Sequence, residues 1–244
     1  MKKVAIFTEG QGELIFMRRL LPDIWGYENV SFECLELYSD RLQDVPYQYT
    51  PPNPKIHLQM INVGNDERVL DIILERKNGL AAKGFEIIGL RDMYSSAYKR
   101  RAHQINPQVT KTFLDFTQKT ISENSNPGEV SFFYAIMELE AWILGLRSLF
   151  HKLDPRLTFD FINEQLGYDL ATIDPETEFF HPAANLDEIL ALVGKRYTKS
   201  KDQMEGLLKL VEPEDFLQLA ESGKCNSFKV LFEKMGRLEK FLLS

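Results

Sequence analysis

The apolar run Val4–Phe7 is followed by a polar break with two glycines, Thr8-Glu9-Gly10-Gln11-Gly12. Leu14, Met17, Leu21 and Ile24 then recur at helical spacing. This predicts a buried strand, a sharp turn and a helix opening near Glu13. Val30–Leu37 alternates with period two, and Ile56–Val63 resumes as a strand. Val69, Ile72, Ile73 and Leu80 mark one face of the next helix, and Phe85–Leu90 is a second buried strand. Pro107 opens a helix carried by Val109, Phe113, Phe116 and Ile121, and Val130–Met137 is a third strongly apolar strand. Trp142, Leu146 and Leu149 continue at helical spacing. Between Asp40 and Pro54 the pattern lapses. Pro46, Pro51, Pro52 and Pro54 predict a long irregular insertion, either a functional loop or a surface excursion.

Beyond about residue 150 the stretches Phe159–Leu166, Leu186–Val193, Lys201–Val211, Glu214–Ala220 and Ser227–Leu243 all read as helices, with no strand among them. Strands alternating with helices predict an α/β class with a parallel sheet flanked by helices. The division expected is an α/β domain over 1–150 and a helical appendage over 151–244 packed on it.

Composition narrows the classes. A 44% hydrophobic content over 244 residues is enough for a sizeable core, and the formal net charge of −7 argues against a generally basic nucleic-acid surface while leaving room for a local basic groove. Cys34 and Cys225 offer neither a disulfide framework nor zinc spacing. Met1-Lys2-Lys3 leads into too short an apolar run for a signal peptide, and no run approaches the ~20 residues of a membrane span. A cytoplasmic location without membrane contact is the expectation.

The chemistry lies at the strand ends. Glu9 and Glu13 flank the first turn, Asp92 follows the second buried strand, and Glu138 and Glu140 follow the third. Right-handed crossovers put the carboxyl ends of parallel strands on one edge, so these acids can converge. Clustered carboxylates require neutralisation, and hard oxygen ligands suit Mg²⁺ or Mn²⁺. The alternative is a helix cap at Glu13 and separately solvated acids elsewhere. A dinucleotide-binding loop is excluded because Ile15 stands where its third glycine is needed, and no Gly-Lys-Ser/Thr run marks a P-loop. No Gly-x-Ser-x-Gly occurs, and the four histidines lack zinc-ligand spacing.

Three blocks in this order, Thr8-Glu9-Gly10-Gln11-Gly12-Glu13, Asp92-Met93-Tyr94 and Met137-Glu138-Leu139-Glu140-Ala141-Trp142, resemble the DUF4276 family of TOPRIM-like proteins. That family is related to the RloB proteins and, more distantly, to the TOPRIM domain of OLD nucleases. The resemblance extends weakly to His181-Pro182, Tyr197-Thr198-Lys199-Ser200 and Ser227-Phe228. It implies a TOPRIM-like fold in which Glu9 and Asp92 match the first glutamate and the first aspartate of a Mg²⁺ site acting on phosphodiesters. Tyr94 falls where the second aspartate of the Asp-x-Asp pair would stand, and Glu138 or Glu140 could supply the missing ligand. It also implies a link to phage or mobile-element defence, sometimes beside an ATPase.

Two functions are carried forward. One is a metal-dependent nuclease or phosphoesterase using Glu9, Asp92 and Glu138 for catalysis. Its metal ligands would come from Glu9, Glu13, Asp92, Glu138 and Glu140, with Arg91, Lys99, Arg100, Arg101 and Lys199 as candidate phosphate contacts. The other is a non-catalytic TOPRIM-like binding or regulatory subunit working with a partner such as an ATPase.

Overall fold

The computed structural model describes residues 1–243, with side chains described for all of these except Asp66 and 238–243. Six strands form one sheet: β1 Lys2–Thr8, β2 Val30–Tyr38, β3 Arg41–Tyr49, β4 Ile56–Asn62, β5 Phe85–Asp92 and β6 Val130–Ala135. Their order is β3-β2-β4-β1-β5-β6. All neighbouring pairs are parallel except β2 and β3, so the sheet is mixed rather than wholly parallel.

The antiparallel strand corrects the expectation for residues 40–54, most of which form β3 rather than an irregular insertion. Ser39 and Asp40, at φ 45° and 63°, make the two-residue turn that joins β2 to β3. Positive φ at both central positions matches the natural strand twist, although neither residue is the usual glycine. Pro46 is accommodated because β3 is an edge strand, and the register slips between Glu33 and Cys34, opposite Pro46 and Tyr47.

Helix α1 (Gln11–Trp25) covers one face of the sheet, whereas α2 (Val69–Ala81) and α4 (Pro107–Asn124) cover the other. A short α3 (Ser96–Lys99) lies between β5 and α4. On the α2 face the fit is tight at Gly89, where a Cβ would stand 2.5 Å from the Phe132 ring and 2.7 Å from Ile73. The helical region comprises α5 (Glu140–Gly145), α6 (Arg147–Leu153), α7 (Phe159–Leu166), α8 (Pro175–Glu178), α9 (Pro182–Ala191), α10 (Lys201–Leu208), α11 (Pro213–Glu221) and α12 (Asn226–Leu243). The expected continuous helix through Trp142 and Leu149 is broken at Leu146, whose backbone is extended. One residue before that break the packing is close: a Cβ at Gly145 would stand 2.6 Å from the Leu219 side chain and 3.1 Å from the Cys225 sulfur.

The helical region packs on the far side of α1. Leu14, Met17 and Leu21 are buried as the periodicity predicts, but Ile15, Phe16 and Leu20 are buried as well, so α1 is apolar on most of its circumference. A helix of that kind belongs between two layers. One continuous cluster of buried side chains runs from Val4 and Ile6 of β1 through α1 to Phe216, Phe228 and Met235. No helix among the described residues is long and apolar enough to cross a membrane.

Candidate functional site

The connection from β1 leads toward β2 on one side of the sheet, and the connection from β5 leads toward β6 on the other. The carboxyl ends of β1 and β5 therefore flank the topological switch point, where open α/β sheets form a crevice. Glu9 and Asp92 stand there. The Glu9 backbone N–H continues the pairing to Leu90 O at 3.2 Å, and its carboxylate accepts a bond from the Asp92 backbone N–H at 3.0 Å. Glu13, in the first turn of α1, reaches back to accept from Gly10 N at 2.9 Å. This is the capping role expected of an acid at a helix start, but the side chain is also buried among other acids. Burial raises the Glu13 carboxyl, with Glu140 adding to that push and backbone N–H groups and Lys199 opposing it.

Asp92 links β5 to the helical region. Its Oδ1 accepts from the Leu139 backbone N–H at 2.8 Å, just after the chain reverses through Met137 at φ 63°. Burial, then the charges of Glu13, Glu9 and Glu140, drive the Asp92 carboxyl well above the usual carboxylate range. Glu138 and Glu140 complete the group. Glu138 Oε2 accepts from Ala183 N at the start of α9, and Glu140 Oε1 accepts from the Tyr197 hydroxyl at 2.7 Å. Burial and the neighbouring Glu140 push the Tyr197 phenol far upward, so it stays a donor.

Lys199 closes the cluster. Its Nζ lies 2.7 Å from Glu138 and 3.3 Å from Glu140, and its own backbone is left-handed at φ 55°. Burial pulls the ammonium toward the neutral form, but Glu140, Glu138 and Asp92 outweigh it and the net shift is upward. Glu9, Glu13 and Glu140 thus lie close enough to act on the Asp92 carboxyl, and the Lys199 ammonium beside them pairs with Glu138 and Glu140. Lys199→Met is expected to destabilise the fold by about 1–2 kcal/mol at neutral pH, below the roughly 3–5 of a fully buried pair. The discount reflects a lysine side chain that remains 45% exposed. The deficit should shrink on acidification, because the unpaired carboxylates then take up protons. Melting temperatures from pH 5 to 8, with Lys199→Arg as the charge-conserving control, check this.

The other basic candidates go elsewhere. Arg91 alternates with Asp92 along β5 and faces the opposite side, with its guanidinium over the Tyr134 ring. Lys99 lies over the ring of Tyr94 at 4.3 Å and Arg101 over Phe113 at 5.2 Å, and Arg100 is exposed. Tyr94 itself packs edge-on against Phe180 and His181. Among the described residues, no three His, Cys, Asp or Glu side chains stand as a ready-made metal centre. The donor set nevertheless has the chemistry for a hard divalent cation, being all carboxylate, partly buried and mutually repulsive. Lys199 occupies the position between Glu138 and Glu140 that such an ion would contest. Periodicity assigns Tyr197 no role, since it lies in the connection between α9 and α10; its signal in the sequence is the weak local resemblance at Tyr197-Thr198-Lys199-Ser200.

No family model, no curated protein and no solved structure matches the chain.

Proposed function

We propose that the protein is a divalent-metal-dependent phosphoesterase acting on nucleic acid, built on a TOPRIM-like arrangement of the DUF4276 kind and serving in phage or mobile-element defence. The observation that supports this reading is the gathering of Glu9, Glu13, Asp92 and Glu140 near the switch point between β1 and β5, with Glu138 linked to Glu140 through Lys199. Glu9 and Asp92 would hold Mg²⁺ or Mn²⁺, with Glu138, Glu140 and Glu13 as further oxygen donors. A bound divalent ion would stabilise charge on a phosphoryl oxygen and lower the pKa of a water. Asp92 is fixed by the Leu139 N–H, Glu13 by Gly10 N–H, and Tyr197 orients Glu140. Lys199 is near enough to turn its ammonium from the carboxylates to a phosphate.

Two observations favour a second reading. The acids already have a counter-ion in Lys199, and Tyr94 replaces an acid at the second Asp-x-Asp position. A non-catalytic subunit working with an ATPase would need no more than this. Labelled single- and double-stranded DNA and RNA, incubated with millimolar Mg²⁺ or Mn²⁺, separate the two. The expected result is metal-dependent cleavage that Glu9→Gln abolishes. Intact substrates under all these conditions would move the assignment to the binding subunit.

A further inference from the structure

The carboxylate crevice borders an aromatic cleft. Tyr94 stands two residues after Asp92, and its N–H donates to Met137 O at 2.7 Å, directly before Glu138. A series of rings continues from it. Tyr94 meets Phe180 and His181 edge-on at 5.2 and 5.1 Å, and next to Phe180 in the chain Phe179 meets Tyr168 at 5.1 Å. Phe180, His181 and Tyr168 line a cleft of about 470 Å³, with Asn185, Glu178 and Glu188 as its polar groups. Phe180 and Tyr168 are half-buried there and His181 is exposed. The first turn of α9 serves both sites. The Ala183 N–H donates to Glu138 at 3.0 Å, and two residues later Asn185 lines the cleft.

We propose that this cleft takes an unpaired nucleobase of a single-stranded nucleic acid whose phosphate reaches the carboxylate crevice, an inference that rests on the phosphoesterase reading above. The chemistry of the walls selects this occupant. Aromatic side chains hold bases by stacking on their faces, and a duplex withholds those faces because its bases are stacked on one another. Among the described residues no lysine or arginine lines the cleft, so it suits the base rather than the phosphate. The cations stand toward the crevice instead. Lys99 lies 4.3 Å from the centre of the Tyr94 ring, and Lys199 pairs with Glu138. The polar groups of the cleft also discriminate among bases. Carboxylates accept hydrogen bonds, and cytosine offers them its amino group. Thymine presents two carbonyl oxygens around one N–H, which Glu178 and Glu188 repel.

Fluorescence anisotropy of short labelled oligo-dC, oligo-dT and duplex DNA, titrated with the full chain in EDTA and in millimolar Ca²⁺, tests this. The expected result is oligo-dC bound at least about fivefold tighter than oligo-dT or duplex, and a loss of at least about fivefold with Phe180→Ala. Phe180 packs against Tyr94, so the exposed His181→Ala replaces that variant if it does not fold. Equal affinity for single strand and duplex, for oligo-dC and oligo-dT, or for wild type and a folded variant overturns the proposal. Metal-dependent cleavage without measurable single-strand binding overturns it and leaves the phosphoesterase reading standing. Single-strand binding with these preferences but no cleavage in Mg²⁺ or Mn²⁺ supports the cleft and removes the phosphoesterase reading.

Discussion

Replacing Phe16 with alanine is expected to destabilise the fold by about 3–5 kcal/mol, a large part of the stability of most domains. Phe16 is fully buried in α1, on the side away from the sheet. Its ring lies 5.4 Å from Trp142 of α5, 5.7 Å from Phe216 of α11 and 6.1 Å from Phe228 of α12, with the last two contacts edge-on. Truncation removes one ring from a four-ring cluster and opens a cavity between three helices. Trp142 Nε1 donates to Glu176 of α8 and Ser227 of α12, which ties α5 to both, so the site has little freedom to collapse. The cost therefore belongs toward the top of the range. Urea unfolding of Phe16→Ala beside Phe16→Leu checks it. The leucine variant keeps most of the volume and should lose less than half as much. A loss below about 1 kcal/mol for Phe16→Ala would mean that the helical region does not depend on α1 for its packing.

That cluster also illustrates what the sequence makes legible. The spacing of Leu14, Met17, Leu21 and Ile24 marks one buried stripe, whereas the structure also buries Ile15, Phe16 and Leu20 and leaves Ile24 only partly buried, because the helical region covers the far side of α1. β1 and β5, covered on both faces, read as near-continuous apolar runs, and β2 and β4 read from their alternation. β3 was not readable: it is half exposed, carries a proline, and is joined by a Ser-Asp turn rather than the Asn-Gly or Asp-Gly that announces a hairpin. Its strand character comes from pairing with β2, a tertiary effect that composition does not encode.

At the site the same division holds. Glu9, Asp92 and Glu138 follow buried strands, and the topology of parallel strands brings them to one edge. The cation that meets them comes from Lys199, more than 50 residues along the chain from Glu140, in a loop whose course depends on how α9 and α10 pack. The sequence offers Lys199 on the same footing as Arg91, Lys99, Arg100 and Arg101, as one more basic side chain. Strand alternation sends Arg91 to the other face, and the rings of Tyr94 and Phe113 engage Lys99 and Arg101.

Asp92→Asn is expected to have two effects of opposite sign, raising the stability of the metal-free protein at neutral pH while removing its response to Mg²⁺ or Mn²⁺. The amide keeps an oxygen where Oδ1 accepts the Leu139 N–H, so the tie between β5 and α5 survives. What disappears is a buried charge set against Glu13, Glu9 and Glu140. The sign with pH follows from the raised carboxyl. An acid whose folded pKa lies above its unfolded value of ~3.9 costs stability as pH rises through the folded pKa, and costs none below the unfolded one. The advantage of Asp92→Asn should therefore be about 1–2 kcal/mol at pH 7 to 8, a fraction of the full burial shift because Lys199 offsets part of it, and should vanish near pH 4. A divalent ion that binds only the folded wild type adds ~2.7 kcal/mol at a hundredfold excess over its Kd, and the variant, lacking that ligand charge, should melt at the same temperature with and without metal. A purely structural hydrogen-bond acceptor gives a different pattern, with apo stability unchanged or lowered and no metal response in either protein. Calorimetric melts of both proteins at pH 4, 6 and 8, with and without millimolar Mg²⁺ or Mn²⁺, distinguish the two outcomes. Coincident wild-type melts with and without metal would remove the metal-dependent reading, whatever the sign of the apo effect.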